Sequence, residues 1–199
     1  NSVWDDLLGF DPASGKFLPA LANSYTQPSS TVYEYEIRDD VKWHDGQPLT
    51  ADDVVYTLSW LTDPKTQLRY KANWDWIASV EKLGPNKVRV TAKQPVPDGL
   101  MWMASGWAIY PKHLHEPLAD KAAFGDKPVG TGPYKINKVD KITGILAENY
   151  KDYRPTALKP KGSFGHIVSE PIRDSGTLVA ALLTGKADLA ADIPPDQAA

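Results

Sequence analysis

The chain has 199 residues, 42% hydrophobic and 24% charged, with a formal net charge of −3. That composition supports a real core, so disorder is not the default reading, and the interspersed charges form no basic stripe of the kind nucleic acid requires. The absence of Cys excludes disulfides, thiolate metal sites and a Cys nucleophile, and no apolar run approaches the roughly 20 residues of a membrane span.

In chain order, "NSVWDDLL" has no start Met and reads as a helix over 3–8 already under way, as in a fragment whose beginning lies upstream. A turn-rich segment follows, with Asp11-Pro12 and Ser14-Gly15 as turn dipeptides. Residues 32–38 alternate Tyr33, Tyr35 and Ile37 against Val32, Glu34 and Glu36, which predicts a half-buried strand. "VKWHDGQPLTADDV" then turns at Asp45-Gly46 and enters a helix over about 51–62. Thr50 and Asp53 are spaced as a capping box, with Val54, Leu58 and Leu61 on one stripe.

Residues 77–83 and 87–92 read as a hairpin across "GPN", and 100–111 is the most apolar stretch. "PKHLHEPLAD" predicts a short helix. "DKPVGTGPYKI" predicts a loop entering a strand, and further strands are expected near 144–149 and 166–170. A helix near 174–184 leads to a strand starting near Asp188 with a Pro stop. The whole is a mixed α+β or α/β pattern, and 17 Pro imply many fixed-angle loops.

The candidate chemistry is sparse. Neighbours in an extended segment point to opposite faces, so His44 and Asp45 are badly placed to cooperate, and a turn-and-cap role outweighs catalysis. His113 and His115 diverge on a helix and read as a solvated face beside Lys112 and Glu116; His166 has no obvious partner. "GTGPY" at 130–134 lacks a third Gly and a following helix, and Pro133 removes an N–H, so it is no phosphate loop. It reads instead as a turn where backbone comes close to something. The alternative reading, drawn from the 7 Trp, is a secreted carbohydrate-active hydrolase with a carboxylate pair across a groove, since such pairs need no proximity in sequence. The aromatics, 7 Trp and 9 Tyr among them, cluster mid-chain in Pro- and Gly-broken segments, where side chains are often presented to a ligand.

Four blocks carry a family resemblance: "LLGFDPASGKFLPALANSY", "YEYEIRDDVKWHDGQPLTADDVVYTL", "PVGTGPYKI" and "LVAALLTGKADLAADIPP". The chain resembles the solute-binding proteins of ABC importers, extracellular family 5, whose signature "YTFxLRxxVKFHDGxPxTAxDVxxT" is similar to the second block. Trp43 stands where Phe is common, and Tyr25 where Trp is common.

The resemblance implies a periplasmic-binding-protein-like lobe with an inserted subdomain and without its second lobe. Residues 1–30 and 128–199 would belong to the core lobe, and 31–127 to the insertion. It implies a non-catalytic monomer, periplasmic or otherwise extracytoplasmic, and allows a lipid anchor on an upstream Cys. Such a protein would pass a small solute (an oligopeptide before an oligosaccharide or metal chelate) to a membrane permease, with no cofactor and no metal of its own. It also implies that Tyr70, Trp74, Trp76, Trp102, Ser105, Gly106 and Trp107 approach the ligand cleft. The "HDG" block is a structural signature in that family.

Overall fold

The computed structural model describes residues 2–68, 70–104, 108–191 and 193–194. Strands β1 (Leu8–Asp11) and β2 (Lys16–Pro19) form a hairpin. Its turn is built by Asp11, whose carboxylate accepts from the Ser14 hydroxyl (2.6 Å) and the Ala13 N–H (3.0 Å). Those two bonds hold the Asp11 carboxyl below its ordinary range.

The helix expected over 3–8 does not form. The carbonyls of Val3, Asp6 and Leu7 accept instead from Gly132, Leu21 and Ala22. A backbone group bonded across the chain is not available to a local helix.

The central sheet has the order β3 (Ala22–Ser29), β4 (Val32–Ile37), β6 (Lys87–Ala92), β5 (Ile77–Lys82), antiparallel throughout. The period-2 pattern puts Tyr33, Tyr35 and Ile37 in the core with Val88, Val90 and Ala92. Glu34 lies on the opposite face, directly across from Arg89, and bonds Arg89 (2.6 Å) and Lys87 (2.7 Å). Lys87 and then Arg89 lower its carboxyl pKa. Because β3 and β4 are consecutive strands of this sheet, the sheet itself crosses residues 30–31, where the inserted part was expected to begin.

Helix α1 (Ala51–Thr62) buries Val54, Leu58 and Leu61 in the same core, as its stripe predicts. The short helices α2 (Gly99–Ala104) and α3 (Lys112–His115) follow the Pro-rich connections. A third sheet has the order β7 (Tyr134–Asp140), β8 (Gly144–Asn149), β9 (His166–Ser169), and α4 (Ser175–Leu183) comes after it. No strand forms over the described residues 188–191. β9 pairs only with β8, and a strand without a ladder partner leaves its backbone groups to water.

The α1 cap also joins two elements. Asp53 is 4% exposed; one of its oxygens accepts from the Thr50 N–H (2.9 Å) and hydroxyl (3.1 Å), and the other from the Lys112 N–H at the start of α3 (2.8 Å). We predict that Asp53→Ala lowers unfolding free energy by about 2 kcal/mol, through a lost cap and orphaned amides. Urea unfolding followed by circular dichroism would read this as a lower midpoint with an unchanged slope.

Candidate functional site

The "VKWHDGQPL" stretch is a tight turn. Trp43 N–H donates to the Gln47 carbonyl (2.8 Å), Leu49 N–H to the Val41 carbonyl (3.0 Å), and Gly46 sits at φ 90°, where a side chain would be strained. His44 points inward from this turn and is 3% exposed.

His44 meets the "GTGPY" loop three times. Its N–H donates to the Gly130 carbonyl (2.9 Å), and the Gly130 N–H donates to its Nδ1 (3.2 Å). Since a backbone N–H can only donate, Nδ1 carries the lone pair and Nε2 the proton, which it gives to the Gly132 carbonyl at 2.9 Å. The Tyr150 ring packs edge-on against the imidazole at 4.9 Å, and its hydroxyl donates to the Trp43 carbonyl (3.0 Å). Both imidazole nitrogens are committed, so no lone pair is left to take a proton from a substrate. Asp45 turns the other way, to His113 Nε2 at 2.6 Å. The opposed directions of the two neighbours follow from the sequence; the partner of Asp45 does not.

The loop holds the N-terminal segment as well. Gly132 N–H donates to the Val3 carbonyl (2.8 Å) and Tyr134 N–H to the Ser2 carbonyl (3.0 Å). Thr131 Oγ1 accepts from the Asp5 N–H (3.2 Å) and donates to Asp5 Oδ2 (3.3 Å). The buried Asp5 carboxylate also accepts from Lys159 Nζ (2.6 Å) and the Tyr153 hydroxyl (3.3 Å). Sequence reasoning missed this cluster, because Asp5 lies more than a hundred residues from Thr131, Tyr153 and Lys159 and the four match no motif. The buried carboxylates Asp5, Glu34 and Asp53 are thus each engaged at separate places, with no two converging across a groove as hydrolysis of a glycosidic bond would need.

His115 overturns its expected solvated face. It is 1% exposed, stacked on Tyr110 at 4.4 Å, edge-on to Trp60 and Phe124, and hydrogen-bonded through Nδ1 to Tyr56 Oη (2.6 Å). Burial, and then the nearby Lys121 charge, push its pKa down to about 4. The short helix faces inward because the Tyr110 and α1 rings exclude water from one side of it. His113 is partly exposed as expected, and His166 is exposed at the head of β9.

The aromatics singled out from the sequence separate. Tyr70 is 55% exposed, Trp76 and Trp102 are half-buried, and Trp74 is 1% exposed within the main core. Trp76 meets Tyr33 edge-on at 5.9 Å. Trp74 and Trp102 line a crevice of about 10 Å³ with Leu58, Leu61 and Met103, room for one water at most. Ser105, Gly106 and Trp107 lie outside the described residues. A larger concavity of about 290 Å³ lies beside the turn, lined by His44, Asp45, Pro128, Val129, Lys135 and Ile136. Among the described residues no three metal-binding side chains come together, and no helix is long and apolar enough to cross a membrane.

Comparison with known proteins gives the chain its relatives. The profile of the Bacterial extracellular solute-binding proteins, family 5 Middle, matches residues 16–199. The chain is 30% identical over 200 residues to the Glutathione-binding protein GsiB of Escherichia coli O1:K1 / APEC; the match covers 100% of this chain and 38% of that protein. Among solved structures it is similar to NikZ from Campylobacter jejuni in complex with Ni(L-His), with a TM-score of 0.83, 32% identity, and coverage of 94% of this chain and 37% of that one. It is also similar to the oligopeptide-binding protein AppA from Bacillus subtilis in complex with a nonapeptide, with a TM-score of 0.79, 25% identity, and coverage of 94% and 37%. The chain therefore spans under two fifths of the length of these relatives.

The Asp5–Lys159 pair gives a clean test of the N-terminal anchor. Removing the cation leaves a carboxylate that is 3% exposed without its ion-paired partner. Lys159→Met is expected to cost about 2–3 kcal/mol in urea unfolding, below the full value for a buried pair because Lys159 is a quarter exposed. Adding Asp5→Asn to it should recover part of that loss.

Proposed function

We propose, on the premise that this chain belongs to the bacterial extracellular solute-binding proteins of family 5, that it is most of one lobe of a two-lobed protein that captures an oligopeptide outside the cytoplasmic membrane. The protein hands its cargo to the permease of an ABC importer and makes or breaks no bond. The profile match across residues 16–199 carries this reading. A peptide is favoured because GsiB is a glutathione-binding protein and AppA holds a nonapeptide, both with likeness along nearly the whole chain. Non-catalytic action agrees with His44, whose two nitrogens are spent on backbone. In the same proposal the whole protein is a periplasmic or extracytoplasmic monomer, lipid-anchored through a Cys upstream of this chain.

The core lobe in this proposal comprises 1–30 and 128–199, with 31–127 as the insertion and the central sheet shared through β3. Ligand contact falls to two stretches, Tyr70 with Trp76, and Trp102 with Ser105, Gly106 and Trp107, while Trp74 is enclosed in the core. The exposed apolar surface supports a longer polypeptide. Ile142, Phe164, Val168, Leu183 and Leu189 are each more than half exposed, and apolar α4 buries only Ala181. Residues 2–104 expose few large apolar side chains by comparison, chiefly Tyr70 and Leu83. An amphipathic element stays on a protein when its apolar face finds cover, and the rest of the polypeptide supplies it.

Two measurements follow. Isothermal titration with glutathione and with a nonapeptide should give binding by a polypeptide of the relatives' full length and at least about hundredfold weaker binding by these 199 residues, since the contacts of the second lobe are absent. Equal affinity would refute the two-lobe account. Within the full-length protein, Tyr70→Ala and Trp102→Ala should each weaken peptide binding by about tenfold, and unchanged affinity in both would remove both stretches from the cleft.

A further inference from the structure

The geometry points to a pH-operated latch: we infer that neutral His44 clamps the 130–134 loop onto the 41–49 turn, and that protonation of its Nδ1 releases the loop together with the N-terminal segment anchored there. This inference stands on local contacts and is independent of any ligand.

The latch is set by hydrogen-bond polarity. The Gly130 N–H faces the Nδ1 lone pair at 3.2 Å, and the Nε2–H faces the Gly132 carbonyl at 2.9 Å. A proton on Nδ1 would set two donors against each other and leave the Gly130 amide buried without an acceptor. The Gly132 bond and the backbone bond from the His44 N–H to the Gly130 carbonyl survive protonation, so the loop loosens about two retained contacts. The loop is a hub: Gly132 and Tyr134 donate to the Val3 and Ser2 carbonyls, and Tyr150 N–H donates to the Pro133 carbonyl (2.9 Å). Release at Gly130 therefore loosens three segments at once. It also opens the wall of the 290 Å³ concavity that His44 shares with Lys135.

The groups facing His44 decide how readily it charges. Burial is the largest influence and favours the neutral ring; Lys135 on β7 acts in the same direction. Against them stand the Gly132 carbonyl, Asp5 and Asp45, which favour the charged ring. Tyr150 packs on the ring, and Asp45 is already hydrogen-bonded to His113 on α3. The balance lowers the His44 pKa from 6.5. A lowered histidine pKa means that the folded state binds fewer protons than the unfolded one. The latch is then fully closed above about pH 6.5 and is lost as pH falls through the lowered value. Burial lowers the His115 pKa as well, to about 4.

Nuclear magnetic resonance of the protein labelled with 15N tests the latch between pH 8 and 5. At pH 8 the His44 nitrogens should show the Nε2–H tautomer. On acidification, imidazolium formation should coincide with a loss of Gly130 amide protection of about tenfold or more, after correction for intrinsic exchange, while the Tyr35 amide in β4 keeps its protection. In His44→Gln, whose amide donates and accepts without titrating, Gly130 protection should be independent of pH. A His44 that stays neutral to pH 5, or that titrates without any change at Gly130, overturns the proposal; the wild-type measurement decides the matter even if the variant fails to fold.

Discussion

Two backbones, those of Val3 and of the 130–134 loop, lie against each other with no room for a side chain between them. A Cβ on Gly132 would come within 2.6 Å of the Val3 carbonyl carbon, and one on Gly130 would collide with the Val3 carbonyl oxygen. This close approach lets the 130–134 loop bond the N-terminal segment, the His44 turn and the segment leading to Tyr150 at once. The extended path of residues 2–7, where a helix was expected, follows from it. Their carbonyls serve as acceptors for distant amides.

Around this hub polar groups are buried and mostly satisfied, and satisfaction is what removes them from chemistry. A histidine with both nitrogens bonded to backbone is a connector. The buried carboxylates are committed in the same way, Asp5 to Lys159 and Tyr153, Asp53 to two helix starts, Glu34 to two cross-strand cations. Groups in that state fix geometry at the cost of desolvation and are held to the partners they already have. The described part of the chain thus resembles a scaffold that presents surfaces, in keeping with a family of solute-binding proteins.

Those surfaces are uneven. The central sheet and α1 form a closed core that includes Trp43 and Trp74. The third sheet and α4 instead leave large apolar side chains in water, from Ile142 to Leu189. Hydrophobic burial is proportional to area removed from water, so α4, apolar along most of its length yet burying only Ala181, gains little as it stands. The same shortage of neighbours explains why the segment at Asp188 does not become a strand.

The sequence by itself determined the features that depend on neighbours in the chain. The alternation of residues 32–37 placed β4 and its buried face, the Thr50 and Asp53 spacing started α1 at Ala51, and the "GPN" turn joined β5 to β6. Period, capping and turn chemistry are local, and their free energies are settled within a few residues. The "HDG" and "GTGPY" blocks were legible as turns for the same reason. Only the tertiary structure decided that these two turns meet, that Asp45 pairs with His113, that His115 lies inside a ring of aromatics, and that Trp74 is enclosed while Tyr70 is open. Each of those depends on which side chains reach one place from distant parts of the chain. Spacing along a sequence carries no record of that, because packing and hydrogen bonding act through distance in space.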